Sequence, residues 1–100
     1  MHNHRRSRTS SKLSVVRKRI DRLDLRLLRL LSQRATLAQR IGRIKHRRKW
    51  PVFDARREAF VLRHAKRANR GPLSEHAVRH IFQAILCECR RRERSSTRRR

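Results

Sequence analysis

Residues 13–45 carry an apolar repeat that constrains the fold of this chain more than any other feature. Apolar residues recur at alternating intervals of three and four positions: Leu13, Val16, Ile20, Leu23, Leu27, Leu30, Leu37, Ile41 and Ile44. This spacing places them along one side of an α-helix, as a seam that packs against other helices. The helix spans roughly 50 Å, which is long for a domain of 100 residues. We therefore expect it to pack against a second copy of the chain.

Arg34 occupies a position in this repeat, between Leu30 and Leu37, where an apolar residue is expected. An arginine that faces a packed interior needs an anionic partner, because an unpaired buried charge is very costly. No run of Asp or Glu in the sequence is placed to supply that partner. The position of Arg34 therefore predicts an anionic ligand.

The rest of the chain predicts two shorter helices and no strands. Residues 46–53 read as a loop that contains Pro51, and Asp54 is placed to cap the start of a second helix. Gly71 is expected to end that helix, and Ser74 to cap a third helix with an apolar face at residues 77–89. The predicted class is all-α, with three helices per chain. The predicted organisation is a disordered basic tail at 1–12, a helical domain at 13–94 and a basic tail at 95–100.

The charge balance is extreme, with 31 Lys and Arg against 7 Asp and Glu and a formal net charge of +24. Such a field attracts polyanions with little sequence preference, although a solvated basic surface is the simpler interpretation. Cys87 and Cys89 lie two positions apart on a helix and point in different directions, which argues against a disulfide. With no apolar signal region or membrane-spanning run, we expect a cytoplasmic protein.

Polar residues on the predicted buried faces suggest one binding site. Lys45 lies eleven positions after Arg34 and shares nearly the same helix face, whereas Arg17 lies roughly 25 Å away along the same helix. In an antiparallel-type dimer, Arg17 of one chain can reach Arg34 and Lys45 of the other. The other candidates are Asp54, Arg57 and Glu58 on the second helix, and Cys89 and Glu93 on the third. Arginine side chains bind carboxylates and a carboxylate accepts from a hydroxyl, so this set suits a small dianion that carries a hydroxyl.

Four motifs resemble those of the AroQ-type chorismate mutases. They are R-x-x-I-D-x-L-D-x-x-L-L-x-L-L-x-x-R at 17–34, G-x-x-K at 42–45, D-x-x-R-E at 54–58 and I-F-x-x-I at 81–85. The resemblance covers about residues 13–93 and implies an intertwined all-α homodimer whose two sites each draw on both chains. It also implies rearrangement of chorismate to prephenate without a cofactor or metal. Arg17 of the partner chain and Arg34 would hold the substrate carboxylates, and Lys45 would contact a carboxylate and the ether oxygen.

The same resemblance implies roles for the remaining candidate residues. Arg57 would support the carboxylate side of the pocket, while Asp54, through its backbone, and Glu58 would receive the ring hydroxyl. Two positions depart from the commonest pattern, because Cys89 stands where many members have Ser and Glu93 where many have Gln. Thiols are weaker hydrogen-bond donors than hydroxyls, and Glu93 can donate to the ether oxygen only when it is protonated.

Several other interpretations remain open at this point. An isochorismate pyruvate lyase shares the fold and the carboxylate-binding arginines, although the D-x-x-R-E motif favours the mutase. A weakly active helical dimer that binds nucleic acid or another polyanion through its tails is a second alternative, but no motif for reading bases is present. His76 and His80 are spaced as metal ligands, yet solvent-facing histidines on a basic helix are the commoner case. Arg17 and Arg57, without the resemblance, would be read as surface charges.

Overall fold

The chain folds into three α-helices. The computed structural model describes the backbone of residues 4–98 and the side chains of residues 9–96. The helices are α1 (His4–Arg48), α2 (Ala55–Ala68) and α3 (Glu75–Arg98), and the described residues contain no strand. The prediction of an all-α chain with three helices and a long first helix is therefore confirmed.

The ends of the outer helices differ from the prediction. α1 begins at His4 instead of Leu13, so residues 4–12 are helical where we expected a disordered tail. α3 continues to Arg98, past the boundary expected at residue 94. Both segments lack Gly and Pro, the strongest helix breakers, so nothing in them stops the helix. Residues 1–3 and 99–100 of the two predicted tails lie outside the described part of the chain.

α1 also runs three residues beyond its predicted end and stops in a Schellman motif. The N–H of Trp50 donates to the carbonyl of Lys45 at 2.8 Å, and the N–H of Lys49 donates to that of His46 at 3.2 Å. Lys49 takes the left-handed position of this motif, with φ at 58°, which glycine usually occupies. The predicted loop at 46–53 therefore begins only after Arg48.

Local capping explains where α2 and α3 begin. The Asp54 side chain accepts the N–H of Arg57 at 3.0 Å, and the Ser74 hydroxyl accepts the N–H of Ala77 at 3.0 Å, so both predicted N-caps are confirmed. The predicted role of Gly71 is wrong, because the C-cap of α2 is Asn69. The Asn69 amide accepts the N–H of Gly71 at 3.2 Å and donates to the carbonyl of Leu73 at 2.7 Å, which orders the turn before α3.

The chain divides into two units, residues 1–32 and 33–100. In the first unit, the α1 seam is uncovered along its length. The exposed seam residues are Leu13, Val16, Ile20, Leu23, Leu27 and Leu30, each between 47% and 60% exposed. Burying a Leu or Ile side chain contributes about 1.5–3 kcal/mol, so a surface with this many exposed apolar residues is typical of an interface.

The second unit has a small core between α1, α2 and α3. Its buried apolar residues are Ala38, Val61, Val78, Leu86 and Cys89. Gly42 is buried too, and a Cβ atom there would lie 2.7 Å from the Cα of Glu93. Small residues on α1 therefore allow its backbone to approach α3 closely. The predicted seam residues Leu37, Ile41 and Ile44 remain exposed within the single chain.

None of the described helices is both long and apolar enough to cross a membrane.

Candidate active site

A cavity of about 400 Å³ lies within residues 33–100, between α1, α2 and α3. Half of its lining is charged and half is apolar or a thiol. The charged residues are Arg34, Lys45, Asp54, Arg57, Glu58, Arg90 and Glu93. The other residues are Leu37, Ala38, Ile41, Val52, Val61, Leu86 and Cys89. Apolar walls with a few convergent charged groups are typical of a site for a small molecule.

The structure brings together most of the residues predicted from sequence. The lining includes Arg34, Lys45, Asp54, Arg57, Glu58, Cys89 and Glu93. Arg17 is not among the lining residues; it lies on α1 within residues 1–32 and is exposed. The assignment of Arg17 to a site therefore depends on a second chain and stays a prediction.

Lys45 connects three parts of the site. Its Nζ donates to the carbonyl of Val52 at 2.7 Å and to Oε1 of Glu93 at 2.8 Å. The side chains of Lys45 and Glu93 are only 15% and 12% exposed, so this ion pair is largely shielded from water. An ammonium group has three N–H donors. Two are therefore occupied within the chain, and one is available for a ligand.

Glu58 is held by a residue that sequence reasoning missed. Nη1 of Arg90 donates to Oε2 of Glu58, and the two side chains are 24% and 19% exposed. This hydrogen bond raises the pKa of the Arg90 guanidinium above its ordinary value. Arg90 lies four positions after Leu86 and three before Glu93. Because that spacing puts it on the same helix face, the pattern could have identified it.

The start of α2 supplies Asp54 and Arg57. The carboxylate of Asp54 accepts the N–H of Arg57, and its carbonyl accepts the N–H of Glu58 at 3.0 Å. The Arg57 guanidinium lies over the Phe60 ring, with its Cζ 5.1 Å from the ring centroid. The cap therefore fixes the backbone of this turn while the Arg57 side chain stays exposed at the edge of the cavity.

Two guanidinium groups of the cavity are not held in ion pairs. Arg34 is half-buried and Arg57 is exposed, and neither belongs to an ion pair among the side chains of residues 9–96. Lys45 and Arg90, in contrast, are each paired with a carboxylate. An anionic ligand could therefore bind Arg34 and Arg57 without breaking an existing ion pair, and arginine suits carboxylates because it can donate two parallel hydrogen bonds.

The remaining polar groups do not form a metal site. Among the described side chains, no three His, Cys, Asp or Glu residues lie close enough together to hold a metal ion. Cys87 and Cys89 are both free thiols, and Cys89 is buried in the cavity wall. The arrangement can thus bind a dianion, accept a hydrogen bond from a hydroxyl at Glu58 and stabilise negative charge beside Lys45.

The chain is similar to proteins of one known family. Residues 16–94 match the family described as chorismate mutase type II. The chain is 42% identical over 82 residues to a bifunctional chorismate mutase/prephenate dehydratase of Pseudomonas aeruginosa, covering 77% of this chain and 22% of that protein. It is 32% identical over 76 residues to a chorismate mutase of Methanocaldococcus jannaschii, covering 75% and 77% of the two proteins.

A solved structure shows the same fold. Chorismate mutase (form II) from Thermus thermophilus superposes with a TM-score of 0.81 at 32% identity, covering 83% of this chain and 94% of that chain. The bifunctional relatives are much longer proteins, and this chain spans less than a quarter of their length.

Proposed function

This chain belongs to the chorismate mutase type II family, and from that premise we propose that it catalyses the rearrangement of chorismate to prephenate. The observation that carries the proposal is the pair of guanidinium groups, Arg34 and Arg57, without ion-pair partners among the described side chains, in a cavity that also contains Lys45, Glu58 and Glu93. Chorismate is a dianion with two carboxylates, an ether oxygen and a ring hydroxyl. The cavity lining contains a side chain that is complementary to each of these groups.

Catalysis would be conformational and electrostatic. The reaction breaks one C–O bond and forms one C–C bond within the same molecule, so it needs no nucleophile and no proton transfer. The extended substrate must fold into a compact chair, and binding both carboxylates at fixed positions favours that conformer. Arg34 would bind one carboxylate, and Arg57 would support the carboxylate side of the pocket. Glu58 and the backbone of Asp54 would form hydrogen bonds with the ring hydroxyl.

Lys45 and Glu93 would act where charge develops. As the C–O bond breaks, negative charge builds on the ether oxygen, and donors placed there in advance lower the barrier. Lys45 has one N–H left after its bonds to Val52 and Glu93. Glu93 would donate to the same oxygen in its protonated form. Cys89, in the wall beside it, is a weaker donor than the Ser of many relatives.

The active form would be a homodimer in which Arg17 of the partner chain completes each site. The exposed seam at residues 13–30 supports this arrangement, because its six large apolar side chains are 47–60% exposed in the described part of the chain. In the proposed dimer, α1 of each chain contributes Arg34 to one site and Arg17 to the other. The length of α1 would then allow one helix to contribute residues to both sites.

The high positive charge supports a separate, non-specific affinity for polyanions. Binding of this kind weakens steeply with salt, because it depends on release of counterions. We expect binding to a heparin-like polyanion to be lost at moderate ionic strength.

The direct test is incubation of the purified chain with chorismate, with the loss of its absorbance followed and the product identified. We expect prephenate and a rate that is proportional to the concentration of dimer. Absence of turnover between pH 5 and 8 would reject the proposal. Release of pyruvate from isochorismate, with no turnover of chorismate, would show the lyase activity instead.

A further inference from the structure

Arg90 is the one charged residue of the cavity that has no role in the function proposed above. It lies on α3, one residue after the buried Cys89, and its Nη1 donates to Oε2 of Glu58 on α2. Its guanidinium also lies over the Phe53 ring, with Cζ 5.4 Å from the ring centroid. Phe53 directly precedes the N-cap of α2, so Arg90 contacts both sides of that cap.

These two contacts hold the guanidinium in place. The ion pair restricts one edge of the group and the aromatic ring covers a face, which together leave the Arg90 side chain only 24% exposed. A cation over an aromatic face is attracted by the negative face of the ring, more strongly when it is shielded from water. Arg90 is therefore a fixed group, unlike its neighbour Arg91, whose ion pair with Glu88 is 64% and 67% exposed.

Fixing Arg90 has a direct consequence for Glu58. A carboxylate has two oxygens, and Arg90 occupies Oε2, so Oε1 is the oxygen available to a ligand. A carboxylate accepts hydrogen bonds and does not donate them. A hydroxyl donor in the cavity would then meet an acceptor of fixed orientation.

We propose that Arg90 is a positioning residue that orients Glu58 to accept the substrate's ring hydroxyl, so that the Arg90–Glu58 pair sets the preference for a hydroxylated substrate. This inference rests on the proposed mutase function. Arg90 acts through Glu58 and does not contact the reacting bonds. Loss of the pair should weaken recognition of the hydroxyl and leave the carboxylate contacts at Arg34 and Arg57 in place.

The test compares chorismate with an analogue that lacks the ring hydroxyl, in the unaltered chain, in four single variants and in the R90M/E58Q double variant. R90M removes the charge, and R90Q replaces the guanidinium by a shorter, uncharged polar group. E58Q removes the acceptor charge, and R91M is the matched control on the exposed side of α3. The measured quantity is the ratio of kcat/KM for chorismate to kcat/KM for the analogue, with the melting temperature recorded for each variant.

We expect the ratio to fall about 10- to 100-fold in R90M, because a hydrogen bond to a charged group carries discrimination of that size. E58Q should lower it similarly, and the double variant should lower it little further, since the two residues act as one unit. R91M should keep the wild-type ratio. If Arg90 only holds α2 and α3 together, its replacement should lower the melting temperature and leave the ratio of the two kcat/KM values unchanged.

Each outcome decides one of the two proposals. If wild-type protein turns over chorismate and R90M keeps the wild-type ratio, the role of Arg90 is rejected and the mutase function stands. If wild-type protein does not turn over chorismate, the mutase function fails and the inference fails with it. Should R90M not fold, R90Q decides in the same way, because its side chain stays polar while its amide nitrogen lies two atoms nearer the backbone than Nη1 of Arg90 and cannot make the same bond to Glu58. R90Q should then lower the ratio as R90M does, and an unchanged ratio rejects the role of Arg90.

Discussion

Nζ of Lys45 lies 2.8 Å from Oε1 of Glu93, and this ion pair joins the C-terminal part of α1 to α3 inside the cavity. The same ammonium group donates to the carbonyl of Val52, in the segment between α1 and α2. Lys45 therefore holds three segments together at the position where the proposed reaction develops charge. Its partner there is a carboxylate, a group that donates a hydrogen bond only when it is protonated.

Activity should fall as the pH rises, because Glu93 can donate to an ether oxygen only as the carboxylic acid and not as the carboxylate. In E93Q, the amide N–H donates at every pH while the amide oxygen still accepts from Lys45, so the profile should flatten. E88Q, an exposed change on the same helix, should keep the wild-type profile. The measurement is kcat/KM against pH, and an unchanged profile in E93Q would remove Glu93 from the mechanism.

Replacing Gly42 by Ala should destabilise the fold by about 1–3 kcal/mol. The new Cβ would overlap the Glu93 carbonyl oxygen and the Ser96 hydroxyl and would lie 2.7 Å from the Glu93 Cα, so backbone has to move. Gly71→Ala is the matched control, because its Cβ would meet only the Asn69 side chain at 3.9 Å. Urea unfolding of both variants makes the comparison. Equal stability of the two variants would contradict the close packing of α1 on α3.

Lys49→Gly should stabilise the protein by about 1 kcal/mol. Lys49 has φ at 58° at the end of α1. A residue with a Cβ is strained in that conformation, whereas glycine is not. Lys49→Ala retains the Cβ and should change the stability little. Thermal unfolding of the two variants separates backbone strain from loss of the lysine charge. An equal change of the melting temperature in both variants would indicate that the lost lysine charge, and not backbone strain, is the cause.

Mixing two inactive variants should restore activity if the sites are shared between chains. R17A and R34A should each lose most activity, since each removes one carboxylate contact from both sites of a homodimer. After unfolding and refolding together, half of the dimers should be mixed, and each mixed dimer contains one intact site. Activity should then recover to about a quarter of the wild-type value.

Recovery in this experiment requires that Arg17 and Arg34 of one site come from different chains. R40A replaces R34A in the control mixture, because Arg40 is exposed on α1 and does not line the cavity. The activity of that mixture should equal the activity contributed by its R40A chains, with no further activity gained by mixing. If R17A and R34A together stay inactive although mixed dimers form, the two arginines do not act across an interface.

The features that depend on a few neighbouring residues were predictable from sequence. The N-caps at Asp54 and Ser74 are formed by bonds to residues three positions away, so the pattern of polar and apolar residues indicated them directly. Most of the cavity residues also followed from helix periodicity and from the family resemblance. Gly71 was assigned wrongly because Asn69, two residues earlier, makes the turn with its own side chain.

The helical class, the caps and the charged residues available to a site follow from the sequence alone, because each depends on chemistry within about one helical turn. The pairing of those charges, in contrast, follows from how the helices pack. The bonds from Arg90 to Glu58 and from Lys45 to Glu93 join residues 32 and 48 positions apart, across different helices. Such pairs depend on how closely and in which register the helices pack. Here that packing rests on small residues such as Gly42, which bring the backbones of α1 and α3 together.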